Sequence, residues 1–181
     1  MSIQTAKAGK TLFDFGNIKA EFIAPNNDSY SNLNNYSAVM MLSYNDRRFL
    51  FMGDAEQKSE SEILSGGYDI SADILKVGHH GGNTASTREF IGAVRPSVAV
   101  ISVGKNNSYG HPASATLATL SDFGADIWRT DEKGTAVVVC DGVNITLNNV
   151  AISVQPNAPP VLPQRKKIIF SAFTQGRYGL K

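Results

Sequence analysis

Ala72-Asp73-Ile74-Leu75-Lys76-Val77-Gly78-His79-His80-Gly81-Gly82 is a short, mostly apolar run that ends in two histidines held between glycines. Such a run reads as a buried strand. Strand ends are where α/β proteins place ligand-binding residues. Two other segments repeat the arrangement. Upstream, Arg48 to Met52 runs into Gly53-Asp54-Ala55-Glu56. Downstream, Val98 to Val103 opens into the loop Gly104 to Gly110 and the motif Tyr109-Gly110-His111-Pro112. His79, His80 and His111 are all the histidines the chain has. Imidazoles and a carboxylate at neighbouring strand ends suit zinc or a similar ion.

Working outward, Ala55 to Ser65 reads as a helix with acids near its start, Ile63 and Leu64 on its apolar face and Gly66-Gly67 as its stop. Ser86 is expected to cap a second helix, with Glu89 completing a capping box and Phe90, Ile91 and Val94 as the buried stripe; Arg95-Pro96 ends it. Pro112 suits the first turn of a third helix, which runs to Phe123 and stops at Gly124. Before the first motif come two short strands, Leu12 to Phe15 and Ala20 to Ala24, and an exposed loop from Pro25 to Asn35. A hairpin follows, Ala38 to Tyr44 and Arg48 to Met52, turning at Asn45-Asp46. After the third helix, three strands form a meander: Asp126 to Thr130, Thr135 to Cys140 and Asn144 to Val150, with turns at Asp131 to Gly134 and Asp141-Gly142. The order predicts an α/β layered fold with a mixed sheet. Residues 1–154 form the expected domain. Residues 155–181 read as a proline-rich, basic linker or tail, in which Ile168 to Phe173 adds an edge strand or belongs to something beyond the chain.

A chain of 181 residues can bury one good-sized core. With 42% hydrophobic and 18% charged residues it has the composition of a soluble globular domain. No apolar run approaches the roughly 20 residues of a membrane-spanning helix. Met1 to Lys10 is polar, so no export signal is expected. Cys140 is the lone cysteine and sits in the apolar run Ala136 to Cys140, so it reads as a buried structural thiol. Residues 1–150 carry 12 basic and 16 acidic side chains, whereas Arg165, Lys166, Lys167, Arg177 and Lys181 follow with no acid. A mildly acidic folded part argues against a broad nucleic-acid-binding face.

Asp54 has two compatible readings. It can offer one oxygen to each of two metal ions, or it can cap the helix that follows. Adjacent residues at a strand end point to opposite faces, so His79 and His80 are not expected on one ion. One would be a ligand, and the other would contact phosphate or act as a general acid. His111 is a ligand, a phosphate contact or a polar residue ahead of a helix. Asn106, Asn107 and Tyr109 read as turn chemistry, and Thr130, Asp131 and Gly134 as turn residues.

These motifs are specific in their order: Phe51 to Glu56, Ala72 to Gly82, Pro96 to Gly104, Tyr109 to Pro112, then Arg129-Thr130-Asp131-Glu132-Lys133-Gly134. The series closely resembles the metallo-β-lactamase-like hydrolase domain at the C-terminus of ComEC competence DNA-uptake proteins and in stand-alone relatives, over Gly9 to Leu147. The resemblance implies an αββα sandwich, of which this chain is the C-terminal half plus a tail. It implies a two-ion zinc or manganese site at one sheet edge and hydrolysis of phosphodiesters, as by a nuclease in DNA uptake or processing. Asp54 matches the bridging aspartate. The His79-His80 pair matches the late histidine ligand, with His80 taken as ligand and His79 beside the substrate. His111 matches a histidine lining the same site. In that family two ions about 3.5–4 Å apart bind the phosphate, and a histidine such as His79 or His111 assists the leaving oxygen. The family's upstream His-x-His-x-Asp-His run is absent, since three histidines are already placed. The missing half is therefore expected from a longer protein or a complementing subunit; otherwise the chain is a metal-free module that acts through partner binding. Its expected place is the cytoplasm by itself, or outside the cytoplasmic membrane in a ComEC-like parent.

Overall fold

The computed structural model of the chain describes residues 5–154 and, as backbone, 168–171. Seven strands form one sheet in chain order: β1 (Thr11–Asp14), β2 (Ile18–Ala24), β3 (Val39–Tyr44), β4 (Arg47–Phe51), β5 (Ile74–Lys76), β6 (Val98–Ile101) and β7 (Asp126–Arg129). β1 to β4 pair antiparallel, and β4 to β7 pair parallel. Parallel neighbours need crossovers. These are α1 (Gln57–Ser65), α2 (Arg88–Val94) and α3 (Ser114–Asp122). One helical turn, α4 (Thr130–Lys133), leads to the second sheet. That sheet has the order β10-β9-β8-β11, built from β8 (Val137–Cys140), β9 (Ile145–Leu147), β10 (Val150–Ala151) and β11 (Ile168–Ser171).

Alternation along the central strands divides the core in two. Met41, Leu50, Leu75, Ala99 and Ile101 pack with Ile63 of α1, Phe90, Ile91 and Val94 of α2, and Leu120 of α3. Leu42, Phe49, Ile74, Val98 and Val100 pack instead with Val138, Cys140, Ile145 and Leu147 of the second sheet. Helices, large sheet and small sheet are thus stacked as an α/β sandwich, the mixed-sheet class read from the sequence. Among the described residues, no helix is long and apolar enough to cross a membrane.

Several local expectations are corrected. β7 does not begin a meander; it extends the parallel sheet beside β6, because α3 forms a third crossover. The single strand expected over Asn144 to Val150 is a tight hairpin, β9–β10, turning at Asn148 and Asn149, both left-handed. Asp131 to Gly134 is largely the helical turn α4. Ser86 does not cap α2. Thr87 does, its hydroxyl accepting from the Phe90 N–H at 3.3 Å, so Glu89 falls one position short of a capping box. Asn35, placed in an exposed loop, is buried, and the Ser59 hydroxyl donates to its Oδ1 at 3.0 Å. Backbone Ile168–Ser171 pairs antiparallel with β8, which agrees with an edge strand there; Ala172 and Phe173 and the proline-rich linker lie outside the described residues.

Cys140 is fully buried and burial pushes its thiol up to about 11. A raised thiol stays protonated, and only thiolate is a nucleophile. The native protein is therefore expected to be inert to a thiol-exchange reagent at mildly alkaline pH and to react fully once unfolded. Rapid reaction of the native chain would contradict this burial.

Candidate functional site

Because β4, β5 and β6 run parallel, their carboxyl ends open at one edge of the sheet, as crevice sites in α/β proteins require. Gly53-Asp54 leaves β4, the Gly78–Gly81 turn leaves β5, and the loop to His111 leaves β6. Gly78 lets the β5 exit pass the β4 exit closely, since a Cβ there would stand 2.7 Å from the Ala55 carbonyl oxygen.

His79 and His80 are not on the strand. Both are left-handed, with φ of 43° and 52°. Non-glycine residues pay roughly 1–2 kcal/mol each for that conformation, and such strain clusters at functional sites. The strand-end argument for opposite faces therefore does not apply. The two rings lie 6.5 Å apart, and His79 meets the edge of His111 with ring centroids 5.2 Å apart.

His80 Nδ1 lies 2.7 Å from the Ser102 carbonyl oxygen, which can only accept. Its proton is therefore on Nδ1, and neutral His80 presents a lone pair at Nε2. That nitrogen is 3.3 Å from Asp54 Oδ1. With the imidazole neutral, that lone pair faces the carboxylate, an arrangement that suits a cation ligated by both. A backbone carbonyl on the far nitrogen is the usual support of a metal-binding histidine. Asp54 caps nothing; α1 starts after Glu56 with no side-chain cap. Its own N–H is held by Ser37 Oγ at 3.0 Å.

His79 is oriented by different partners. Nδ1 lies 3.0 Å from Glu56 Oε1 and 3.0 Å from Thr84 Oγ1. The carboxylate draws the proton to Nδ1, so Nε2 carries the lone pair and lies 3.5 Å from the Asn34 amide nitrogen. Glu56 is itself gripped by the amides of Asn32 at 2.7 Å and Asn34 at 2.9 Å. His111 stays neutral to lower pH than an ordinary imidazole, through partial burial and the nearby His79 and His80. Burial also pushes the Lys76 ammonium down, against the pull of Asp54; it donates to the Val77 carbonyl at 2.7 Å.

The surrounding loops are laced together. Glu60 on α1 is buried, and its carboxylate accepts from the N–H groups of Ser86 at 2.5 Å and Thr87 at 2.9 Å. Burial raises its pKa, opposed by those donors. The Gln57 N–H meets the Thr84 carbonyl at 2.9 Å, fixing the segment that carries the Thr84 hydroxyl. The Ala113 N–H and Thr116 hydroxyl tie α3 to the carbonyls of Gly81 and Gly82. Thr130, read as having no role, joins the end of β6 through Val103 N–H and carbonyl.

The structure thus brings Asp54, His79, His80 and His111 to one edge. Among the described residues, no group of three or more His, Cys, Asp or Glu is placed to hold one metal ion. Glu56, Thr84, Asn34 and the Ser102 carbonyl were missed in the sequence. Only Glu56 carried a signal, two residues past Asp54 in the same motif. Gly82 leaves room for His111, since a Cβ there would sit 2.9 Å from His111 Cε1. The Gly82→Ala variant is expected to fold, losing less than about 4 °C of melting temperature, but to move the His111 ring resonances. Unmoved resonances would contradict the close approach.

No family model matches the chain. It is similar to ComE operon protein 3 of Bacillus subtilis, 33% identical over 135 residues, covering 75% of this chain and 17% of that protein. It is similar to Competence protein ComA of Neisseria gonorrhoeae, 33% identical over 115 residues, covering 63% of this chain and 17% of that protein. Recombination protein 2 of Haemophilus influenzae is 30% identical over 114 residues, covering 63% of this chain and 14% of that protein. The chain thus spans less than a fifth of the length of these relatives.

Proposed function

We propose that the chain carries part of the metal site of a metallo-β-lactamase-like phosphodiesterase that works on DNA in competence. The observation that carries this reading is the pairing of His80 Nε2 with Asp54 Oδ1 at 3.3 Å, with the far imidazole nitrogen committed to the Ser102 carbonyl. Similarity to a competence protein and a ComE operon protein supports the DNA-uptake setting.

Asp54 and His80 would hold zinc or manganese. Such an ion, when bound, supplies Lewis acidity toward a phosphoryl oxygen and makes water a stronger nucleophile. His79 is held by Glu56 and Thr84 with its Nε2 unprotonated and available for proton transfer. Neutral His111 stands beside it. Two protein ligands fall short of a full zinc coordination set. The remaining ligands therefore come from another segment of a longer protein or from a complementing subunit.

A second reading is a metal-free module that acts through a partner, favoured by the lack of a three-donor group among the described residues. The deciding experiment is hydrolysis of bis(p-nitrophenyl) phosphate by the complete assembly containing this chain, with manganese or zinc and then with chelator. Turnover that needs the metal is expected. No turnover with either metal would overturn the enzymatic reading.

A further inference from the structure

We propose that Tyr109 is a base-stacking residue, so that the cleft selects a phosphodiester flanked by an unpaired nucleobase over one without a base. The inference rests on the phosphodiester reading and adds a specificity element to it.

Tyr109 is 81% exposed and lies beside the histidines, its ring 6.0 Å from that of His111 and tilted by 31°. The loop under it is rigidly built. Asn107 Oδ1 accepts from the N–H groups of Tyr109 at 3.2 Å and His111 at 3.1 Å. Its amide donates to the carbonyls of Gly104 at 3.1 Å and His111 at 2.6 Å. One asparagine thus fixes the backbone of Tyr109 and His111 together. With the backbone beneath it fixed, the ring has only its own side-chain torsions to order on binding. Leu33 is 82% exposed and adjoins Asn34, whose amide nitrogen lies 3.5 Å from His79 Nε2. The contacts therefore run from an exposed apolar residue through Asn34, His79 and His111 to an exposed aromatic ring.

Charge narrows the chemistry. Nucleic-acid affinity usually comes from Lys and Arg side chains that displace the counterions condensed on the phosphates. Residues 1–150 carry four more acidic than basic side chains, so that source is weak here. Stacking on an aromatic ring needs no net charge, tolerates any base and is open only to bases free of a duplex. Lys105, exposed on the same loop, gives at most a local phosphate contact.

The test is fluorescence anisotropy with labelled single-stranded oligothymidylate and an abasic oligomer of equal length. The wild-type chain is expected to bind the base-bearing strand about 5- to 150-fold more tightly, the size of one base–aromatic stack. Tyr109→Ala should lower oligothymidylate binding to the abasic level, and Tyr109→Phe should retain it. Equal binding of both oligomers, binding of neither, or an undiminished preference in Tyr109→Ala would overturn the proposal. Base-dependent binding by the chain, with no metal-dependent hydrolysis by the complete assembly, would instead sink the phosphodiesterase reading alone. Equal hydrolysis and equal binding of both oligomers would sink only the stacking role.

Discussion

Asp54→Asn in the complete assembly is expected to lower metal-dependent phosphodiester turnover by more than about 100-fold while leaving the fold intact. Loss of a group that merely supports a metal ligand already costs about 10–100-fold, so loss of a direct ligand costs more. Asparagine keeps the shape of aspartate but removes the charge and one acceptor oxygen. The stability cost is expected within about 0.5 kcal/mol, because the Asp54 side chain is 47% exposed and caps no helix. Turnover and thermal melting of the same preparation separate the two effects. Retained turnover would remove Asp54 from the site; a collapsed melting temperature would make it structural.

Asp73→Ala is expected to act in the opposite way, destabilising the fold by about 3–5 kcal/mol. Asp73 Oδ1 is 3.3 Å from Arg47 Nη1, with both side chains under a tenth exposed. Its other oxygen accepts the Arg48 N–H at 2.8 Å. Its backbone carbonyl accepts from Ser97 and Val98. One residue thus joins the starts of β4, β5 and β6 and so keeps their far ends aligned where Asp54, His80 and His111 emerge. Burial raises the Asp73 pKa, against the pull of the Arg48 N–H and the Arg47 guanidinium. The pair is costly to desolvate but costlier to break. Denaturant unfolding of Asp73→Ala and of the double variant Arg47→Met with Asp73→Leu checks this. The double variant should recover part of the loss, because it no longer leaves the Arg47 charge without this partner, although the Arg48 N–H still loses its acceptor. A single variant within about 1 kcal/mol of the wild type would contradict the account.

The strands, and the edge where Asp54, His79, His80 and His111 gather as a candidate site, were legible because they rest on local pattern. Ile74-Leu75 and Val98 to Ile101 announce burial on both faces, and each runs into glycine and a polar group. What stayed hidden depends on tertiary contacts. Glu60 is one of several acids near the start of its helix, and nothing local marks it as the one whose carboxylate binds the Ser86 and Thr87 N–H groups. Ser86 is left-handed and lies outside the helix, so the cap falls to Thr87, whose hydroxyl is free to accept from Phe90 although its own N–H is also held by Glu60. The left-handed pair His79-His80 gives only a weak signal in its own residues, since histidine tolerates that conformation better than most side chains but seldom adopts it. Its neighbours impose it: His79 N–H donates to the Gly53 carbonyl and Gly82 N–H to that of His79. The Asn-rich loop after Pro25 read as solvent, yet Asn32 and Asn34 are what hold Glu56 against His79.

The most direct test of the metal assignment is a nitrogen-15 spectrum of the three histidine rings at mildly alkaline pH, recorded before and after zinc is added. Protonated and lone-pair-bearing ring nitrogens are resolved there. His80 is expected to be protonated at Nδ1 without metal, and zinc is expected to shift His80 Nε2 by an amount that Asp54→Asn weakens. A proton on His80 Nε2, or an Nε2 resonance that zinc leaves unmoved, would contradict the assignment.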